Sequence, residues 1–223
     1  MSKAVQEMFR RISPRYDIAN DILSLGIHRR WKKLVKKRAE LRNQLYALDI
    51  CTGTGEVALE LNKKFPNRVY AIDFVKEMVQ NAVRKSSEVR YLVGDAQLLP
   101  FDSSSIGLVT MSFGIRNLDS PALGLKEIYR VLTPGSQVLV LEFGEGQSSW
   151  FDRLYAPYAR YVIPIIGGLL TGDRAAYQYL PETSAKFPAR ESFLKLMEEA
   201  GFKQCSYTTL SFGIAYLYEG VKL

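Results

Sequence analysis

The chain has 223 residues, of which 47% are hydrophobic and 24% charged, and 30 Lys and Arg outweigh 23 Asp and Glu to leave a net charge of +7. That length buries one substantial core, and the balance excludes a disordered or fibrous protein, while the positive charge directs attention to an anionic partner. Two cysteines in apolar strand-like runs, Cys51 and Cys205, and one histidine, His28, give no basis for a disulfide framework or a metal site.

In chain order, Val5, Met8, Phe9 and Ile12 recur at helical spacing until Pro14 stops the run. A second helix is expected over about Arg29 to Leu41. There Trp31, Leu34, Val35 and Ala39 share a face, and Arg29, Arg30, Lys32, Lys33, Lys36 and Lys37 crowd the rest. Strand and helix alternate from Leu45. Helices are expected at Glu56–Phe65 and Lys76–Lys85, and strands at Val69–Ile72, Val89–Val93 and Leu108–Phe113. Asp119-Ser120-Pro121 signals the start of another helix. Pro134-Gly135 then turns the chain into the strand Val138–Leu141. From Gln147 to Pro188 the alternation lapses into a Tyr-, Pro- and Gly-rich segment that reads as irregular and partly helical. A helix over Glu191–Ala200 precedes the runs Gln204–Leu210 and Ile214–Gly220, joined by Ser211-Phe212-Gly213 as an antiparallel hairpin. The expected fold is α/β, a doubly wound, seven-stranded, mostly parallel sheet ending in an antiparallel hairpin. One domain over residues 1–223 is the simplest division, with N-terminal helices over 1–44 and a substrate-covering insertion over 147–188. The opening Met1–Arg11 is mixed and polar. The longest apolar stretch, Tyr161–Leu170, is broken by Pro164 and a glycine pair and falls short of the roughly 20 residues that span a bilayer. A cytoplasmic protein is expected.

The most informative stretch is Asp49-Ile50-Cys51-Thr52-Gly53-Thr54-Gly55-Glu56, a glycine turn between a strand and a helix. Asp73, 20 residues after Gly53, ends the second strand, where an acid can bind ribose hydroxyls. Asp95 follows the third strand within Gly94-Asp95-Ala96. The turn also fits a dinucleotide fingerprint, but three carboxylates at strand ends suit a cationic ligand better than a pyrophosphate, which prefers amides and a helix N-terminus. S-adenosylmethionine, with its sulfonium and ammonium, matches that rim.

Further stretches carry a more specific resemblance. They are Met8-Phe9 with Pro14-Arg15-Tyr16-Asp17, Asn20 to Trp31 (N-D-I-L-S-L-G-I-H-R-R-W), Ser112 to Asn117 (S-F-G-I-R-N), Tyr129 to Leu132 and Tyr177 to Glu182 (Y-Q-Y-L-P-E). From near Val5 to Lys222 the chain resembles the C-methyltransferases of menaquinone and ubiquinone biosynthesis, within the class I S-adenosylmethionine-dependent methyltransferases. It departs from them at Ser136 and at Glu145-Gly146. The resemblance implies donor contacts at Thr54, Asp73, Asp95, Ala96 and Ser112, with Gly53 and Gly55 shaping the turn. It also implies a polyprenyl quinol as acceptor and pairing into homodimers, although no counted feature of the sequence calls for a dimer.

Each assignment has a plainer counterpart. Asp73 can cap a helix, Ser112 can bond locally, and Arg116 can form a structural ion pair. Arg116 and Asn117 follow the fourth strand on the donor's edge, which favours a role at an acceptor oxygen, and Tyr16 is the third candidate beside donor or acceptor. Arg116 is too basic to act as a free base, so stabilisation of an oxyanion, or orientation of a water that takes the proton, is its expected role. His28, beside Arg29 and Arg30, reads as structural. The aromatic and aliphatic residues of Tyr155–Leu170 are candidates for a channel for the isoprenoid tail. The basic helix reads first as a solvated face; with Trp31 it also suits an anionic membrane surface, a peripheral contact at its inner face, ahead of nucleic acid. The reaction expected first is methylation of demethylmenaquinol, with methylation of a 2-polyprenyl-6-methoxy-1,4-benzoquinol in ubiquinone synthesis as the close alternative. A non-catalytic lipid-binding subunit of a quinone-synthesis complex and a nicotinamide-dependent oxidoreductase are the readings from other classes.

Overall fold

The computed structural model describes residues 2–41, 45–144 and 157–223. Helix α1 (Lys3–Ile12) starts on Ser2, whose hydroxyl accepts the Val5 amide at 3.3 Å, and gives way to a 3₁₀ turn at Ser13–Arg15. Two further helices follow, α2 (Tyr16–Leu23) and α3 (Ile27–Arg38), joined through Gly26 in the left-handed region at φ 73°. The alternating part then runs β1 (Tyr46–Ile50), α4 (Glu56–Lys64), β2 (Val69–Asp73), α5 (Lys76–Lys85), β3 (Arg90–Val93), β4 (Ile106–Ser112), α6 (Pro121–Val131) and β5 (Leu132–Phe143). A π-type turn, Tyr158–Val162, leads into α7 (Ile163–Thr171), α8 (Arg174–Lys186), α9 (Glu191–Glu199), β6 (Lys203–Leu210) and β7 (Ala215–Val221).

The strands form one sheet in the order β3-β2-β1-β4-β5-β7-β6. All neighbouring pairs are parallel except those of β7, which inserts antiparallel between β5 and β6. β1 and β4 are buried along nearly their whole length, as expected of apolar runs covered on both faces. One face packs under α6 and α9 through Leu125, Ile128, Phe193 and Met197. The other packs under α3 and α4 through Trp31, Val35, Val57 and Leu61. Chain order reverses between β1 and β4, so the edge beyond the ends of β1, β2 and β4 is where such a sheet binds ligands.

The expected sheet, hairpin and most helices are present. The stretch expected to be irregular is largely helical over 157–186, whereas 147–156, with Tyr155, lies outside the described residues. Helix α2 has no counterpart among the expected elements. It is only eight residues long, and tertiary contact holds it: the Tyr158 hydroxyl donates to the Leu23 carbonyl at 2.7 Å and Arg15 donates to the Leu170 carbonyl at 2.8 Å. Together α1, α2, α7 and α8 enclose a third apolar cluster, with Met8, Ile12, Leu23, Ile163 and Tyr177 at its centre.

The basic row of α3 is partly engaged within the protein, and its tryptophan is not available to a surface partner. Trp31 is 5% exposed and donates its indole N–H to Ser211 at 3.1 Å. Lys32 bonds to Glu56, and Lys36 to Glu60 at 2.8 Å, so two of the six basic side chains form a seam of ion pairs against α4, and Arg29 bonds to Asp21 of α2. No helix among the described residues is long and apolar enough to cross a membrane.

Candidate active site

The turn after β1 needs its glycines. Gly53 and Gly55 lie at φ 56° and 83°, and a Cβ on Gly55 would stand 2.8 Å from the Tyr91 hydroxyl. Cys51 also takes a positive φ of 54°, a costly conformation for a residue with a side chain. Its thiol faces the loop after β4: a Cβ on Gly114 would fall 2.4 Å from the Cys51 Cβ, so only glycine lets the two loops close.

Asp73 fastens this turn to β2. Its carboxylate accepts the Gly53 amide at 2.8 Å and the Val75 amide at 2.9 Å, while staying 8% exposed at the mouth of a narrow cleft. Asp95, whose carboxylate accepts the Gln97 amide at 2.9 Å, and Ala96 line the same cleft with Cys51 and Leu118. Burial pushes the Asp73 carboxyl up, against the amides that bond it. Thr54 is buried and donates to Asp17 at 2.5 Å, and Lys85 bonds the other oxygen of that carboxylate at 2.5 Å. At the end of β4, the Ser112 hydroxyl is buried without a hydrogen-bond partner.

Asp49 stands inside the sheet and not on the rim. It is 1% exposed and accepts the hydroxyls of Thr52 and Thr110, each at 2.6 Å. Burial pushes its carboxyl from 3.8 to about 6, against those two hydrogen bonds. Because the folded value lies above the unfolded one, its contribution to stability is complete in acid and is lost as pH rises through about 6. Near pH 8 the ionised group therefore opposes folding by ~3 kcal/mol. Asp49→Asn is expected to raise the urea midpoint near pH 8 and to leave it nearly unchanged near pH 4. An equal shift at both values would show that charge is not the cause.

Beside the turn lies a cavity of about 650 Å³. Its floor is formed by Phe113, Phe143 and Arg116, and its walls come from α1, α2, α3, the π-type turn and α8. Tyr16 links the two regions, since it lines the cavity and packs its ring within 4.0 Å of where a Cβ on Gly53 would stand. Removal of the phenol from water pushes its pKa up, and a bond to Asn20 opposes this. Arg116 is the buried partner of Glu142; it donates to that carboxylate and, at 2.9 Å, to the Phe113 carbonyl. Burial pushes the Glu142 carboxyl up, with the guanidinium pulling the other way. Arg116 therefore is the structural ion pair weighed from sequence, yet its Nε–H is buried without a partner and the residue lines the cavity. The Tyr177 hydroxyl, on another wall, is buried and makes no hydrogen bond of good geometry; burial pushes its pKa up, with the Thr171 hydroxyl beside it pulling the other way. Asn117 stands behind the wall, accepting the Tyr179 hydroxyl at 3.1 Å and donating to the Phe113 carbonyl at 3.3 Å. It thereby holds Tyr179, which does line the cavity.

Tyr177, Tyr179, Asp17 and His28 are contributors that spacing did not single out. His28 is 4% exposed, lines the cavity, and sits 2.9 Å from Asp21; burial, then Lys32, lowers its pKa. Of the tail-channel candidates, Tyr158 and Ile163 line the cavity and Ile166 and Leu170 pack in the helical cluster, while Tyr161, Ile165 and Leu169 face outward.

The chain matches the model of the ubiE/COQ5 methyltransferase family over residues 1–222. It is 40% identical over 225 residues to a demethylmenaquinone methyltransferase of Deinococcus radiodurans, covering 99% of this chain and 93% of that protein. It is also 40% identical to a ubiquinone/menaquinone biosynthesis C-methyltransferase of Bdellovibrio bacteriovorus, covering 97% and 94%. Among solved structures, a S-adenosylmethionine-dependent methyltransferase of Thermotoga maritima superposes with a TM-score of 0.72 at 20% identity, over 97% of this chain and 99% of that one. A phosphoethanolamine N-methyltransferase of Haemonchus contortus, solved with S-adenosylmethionine, superposes at 0.63 with 16% identity, over 85% and 51%. Sequence and fold thus agree, and the chain belongs to the ubiE/COQ5 methyltransferase family.

Proposed function

We propose that the protein methylates a ring carbon of a polyprenyl quinol with S-adenosylmethionine as donor, and that the quinol is demethylmenaquinol. The observation that carries this reading is the apolar cavity, which meets the glycine turn at Tyr16 and is lined by Arg116, whose buried Nε–H has no partner, and by Tyr177, whose hydroxyl is buried just behind the surface. A flat ring with oxygens and a hydrocarbon tail has the chemistry to fill such a space. The residues beside the turn suit the donor chemically: Ser112 Oγ, at the end of β4, lacks a partner, and the Asp73 carboxyl, pushed up by burial, gains from a cation nearby. Gly53 and Gly55 would let the backbone approach the donor, Asp73 would take the ribose hydroxyls, and Thr54, Asp95, Ala96 and Ser112 would complete the contacts. When bound, the donor supplies a methyl group activated by a sulfonium.

The acceptor carbon is nucleophilic only when the ring oxygen carries charge, and a phenolic hydroxyl ionises near pKa ~10. The chain's task is to favour that oxyanion and to hold the carbon in line with the methyl group. Arg116 Nε–H is the donor for the oxyanion, Tyr177 the second, and Asn117 acts through Tyr179. Loss of the ring proton after methyl transfer restores aromaticity.

The test is direct. Purified protein with methyl-labelled donor should label demethylmenaquinol, detected by mass spectrometry of the extracted lipid. Labelling of the methoxybenzoquinol alone would move the assignment to ubiquinone synthesis, and labelling of neither would end the quinol reading. For the tail, Leu23→Ser with Ile163→Ser should raise the Michaelis constant for a long-tailed quinol by roughly tenfold or more, at about 0.8 kcal/mol per methylene withdrawn from contact. A short-tailed analogue should be nearly unaffected, and an equal loss for both would assign these residues to the core alone.

A further inference from the structure

The outer faces of α2 and α7 carry an arrangement that the reaction does not use. Ile18, Ile22 and Leu25 are 59%, 43% and 90% exposed, and Tyr161, Ile165 and Leu169 are 57%, 48% and 80% exposed. The two rows are side by side. Arg15, at the start of α2, bonds to Leu170 at the end of α7, and Leu23, at the end of α2, bonds to Tyr158 just before α7. The segments therefore run antiparallel; Ile18 with Ile22, and Tyr161, Ile165 and Leu169, follow the i, i+4 spacing that keeps side chains on one face, and Leu25 stands in the turn just after α2. Six large apolar side chains in water form a surface that an isolated protein gains nothing by exposing.

From this surface we infer a docking site for an anionic lipid bilayer. Two features favour a bilayer over another occupant. Leu25 belongs both to the exposed row and to the rim of the 650 Å³ cavity, so the apolar surface continues into the space assigned to the acceptor. Exposed arginines border it: Arg15 at one end and Arg160, stacked 5.6 Å from the Tyr161 ring, at the other, and neither makes an ion pair among the described residues. The acids nearby are engaged, Asp17 by Lys85 and Asp21 by Arg29. Aliphatic residues flanked by unpaired arginines suit the boundary between acyl chains and anionic headgroups. The inference rests on the quinol reading only for its purpose, which is to let a tailed acceptor pass from the bilayer into the cavity without crossing water.

The experiment is sedimentation of the full chain with vesicles of phosphatidylcholine and phosphatidylglycerol, with neither donor nor acceptor present. Wild type should sediment, and Ile165→Ser with Leu169→Ser should lower the partition coefficient by about tenfold or more. Ile18→Ser with Ile22→Ser should do the same. A control on the basic helix, Lys33→Gln with Lys37→Gln, should change it by less than about threefold. All variants should keep wild-type turnover on a short-tailed, soluble quinol, which also shows that they fold. Equal sedimentation of wild type and both patch variants would overturn the assignment. So would a wild type that stays in the supernatant and forms dimers that the patch variants break, which would give the surface to a second copy of the chain. Failure of every protein on the soluble quinol, with the vesicle pattern intact, would count against the quinol reading and leave the docking surface in place.

Discussion

Arg116→Ala is expected to destabilise the protein by ~3–5 kcal/mol, because it leaves the Glu142 carboxylate, 0% exposed, without its partner. The same change should lower turnover by about 100-fold or more, the scale seen when one donor to a developing oxyanion is removed. The two effects can be separated. Arg116→Gln combined with Glu142→Gln removes both charges, keeps an acceptor for the Phe143 amide that bonds Glu142 at 2.8 Å, and should recover most of the stability. If turnover stays low in this stable double variant while donor affinity is normal, Arg116 acts on the acceptor. If turnover returns with stability, Arg116 is a structural cation and the oxyanion donor lies elsewhere in the wall, with Tyr177 first to examine. Calorimetric donor titration, urea unfolding and steady-state turnover on the same preparations decide between these outcomes.

Asp73→Ala is expected to weaken donor binding by roughly ten- to a hundredfold, the equivalent of losing one charged hydrogen bond worth about 1.5–3 kcal/mol. The structure adds a second consequence: the Gly53 and Val75 amides lose their acceptor, so the glycine turn loosens as well. Asp73→Asn reduces the second effect, since its one carbonyl oxygen can still accept the Gly53 amide while the negative charge and the acceptor for Val75 are gone. Affinity that falls in both variants assigns the effect to charge and ribose binding, whereas affinity that falls only in Asp73→Ala assigns it to the shape of the turn. Donor affinity unchanged in both would remove Asp73 from the donor site.

The parts legible in sequence were those with a local cause. A glycine turn announces itself because Gly53 and Gly55 hold backbone angles that other residues avoid. The strands of the sheet centre read as apolar runs because they are covered on both faces. Position at a strand end placed Asp73, Asp95 and Arg116 on one edge, and the strand order puts the ends of β2, β3 and β4 there. The same rule misplaced Asp49, because strand position says nothing of depth: two threonine hydroxyls hold it below the rim. Arg116 was open to two readings for a similar reason. Its partner Glu142 lies 26 residues away on the neighbouring strand, at a distance that spacing cannot express.

The helical cover was the least legible part. Helix α2 is too short to declare itself, and α7 is apolar on both its inner and its outer face, so periodicity could not say which residues meet the cavity. Ile163 turns in and Ile165 turns out, two positions apart in one helix, and only packing against α2 and α8 decides which is which. The basic helix shows the converse case, since spacing cannot tell Lys32 and Lys36, which meet Glu56 and Glu60 of α4, from the other lysines of the row. The amino-acid sequence by itself determined the sheet, the donor turn and the chemistry of its edge, since these depend on backbone angles and on alternation along the chain. Tertiary structure alone decided the cavity proposed for the acceptor and the apolar face proposed for a membrane, because both are built from side chains brought together across 150 or so residues, where burial and not spacing decides which are exposed.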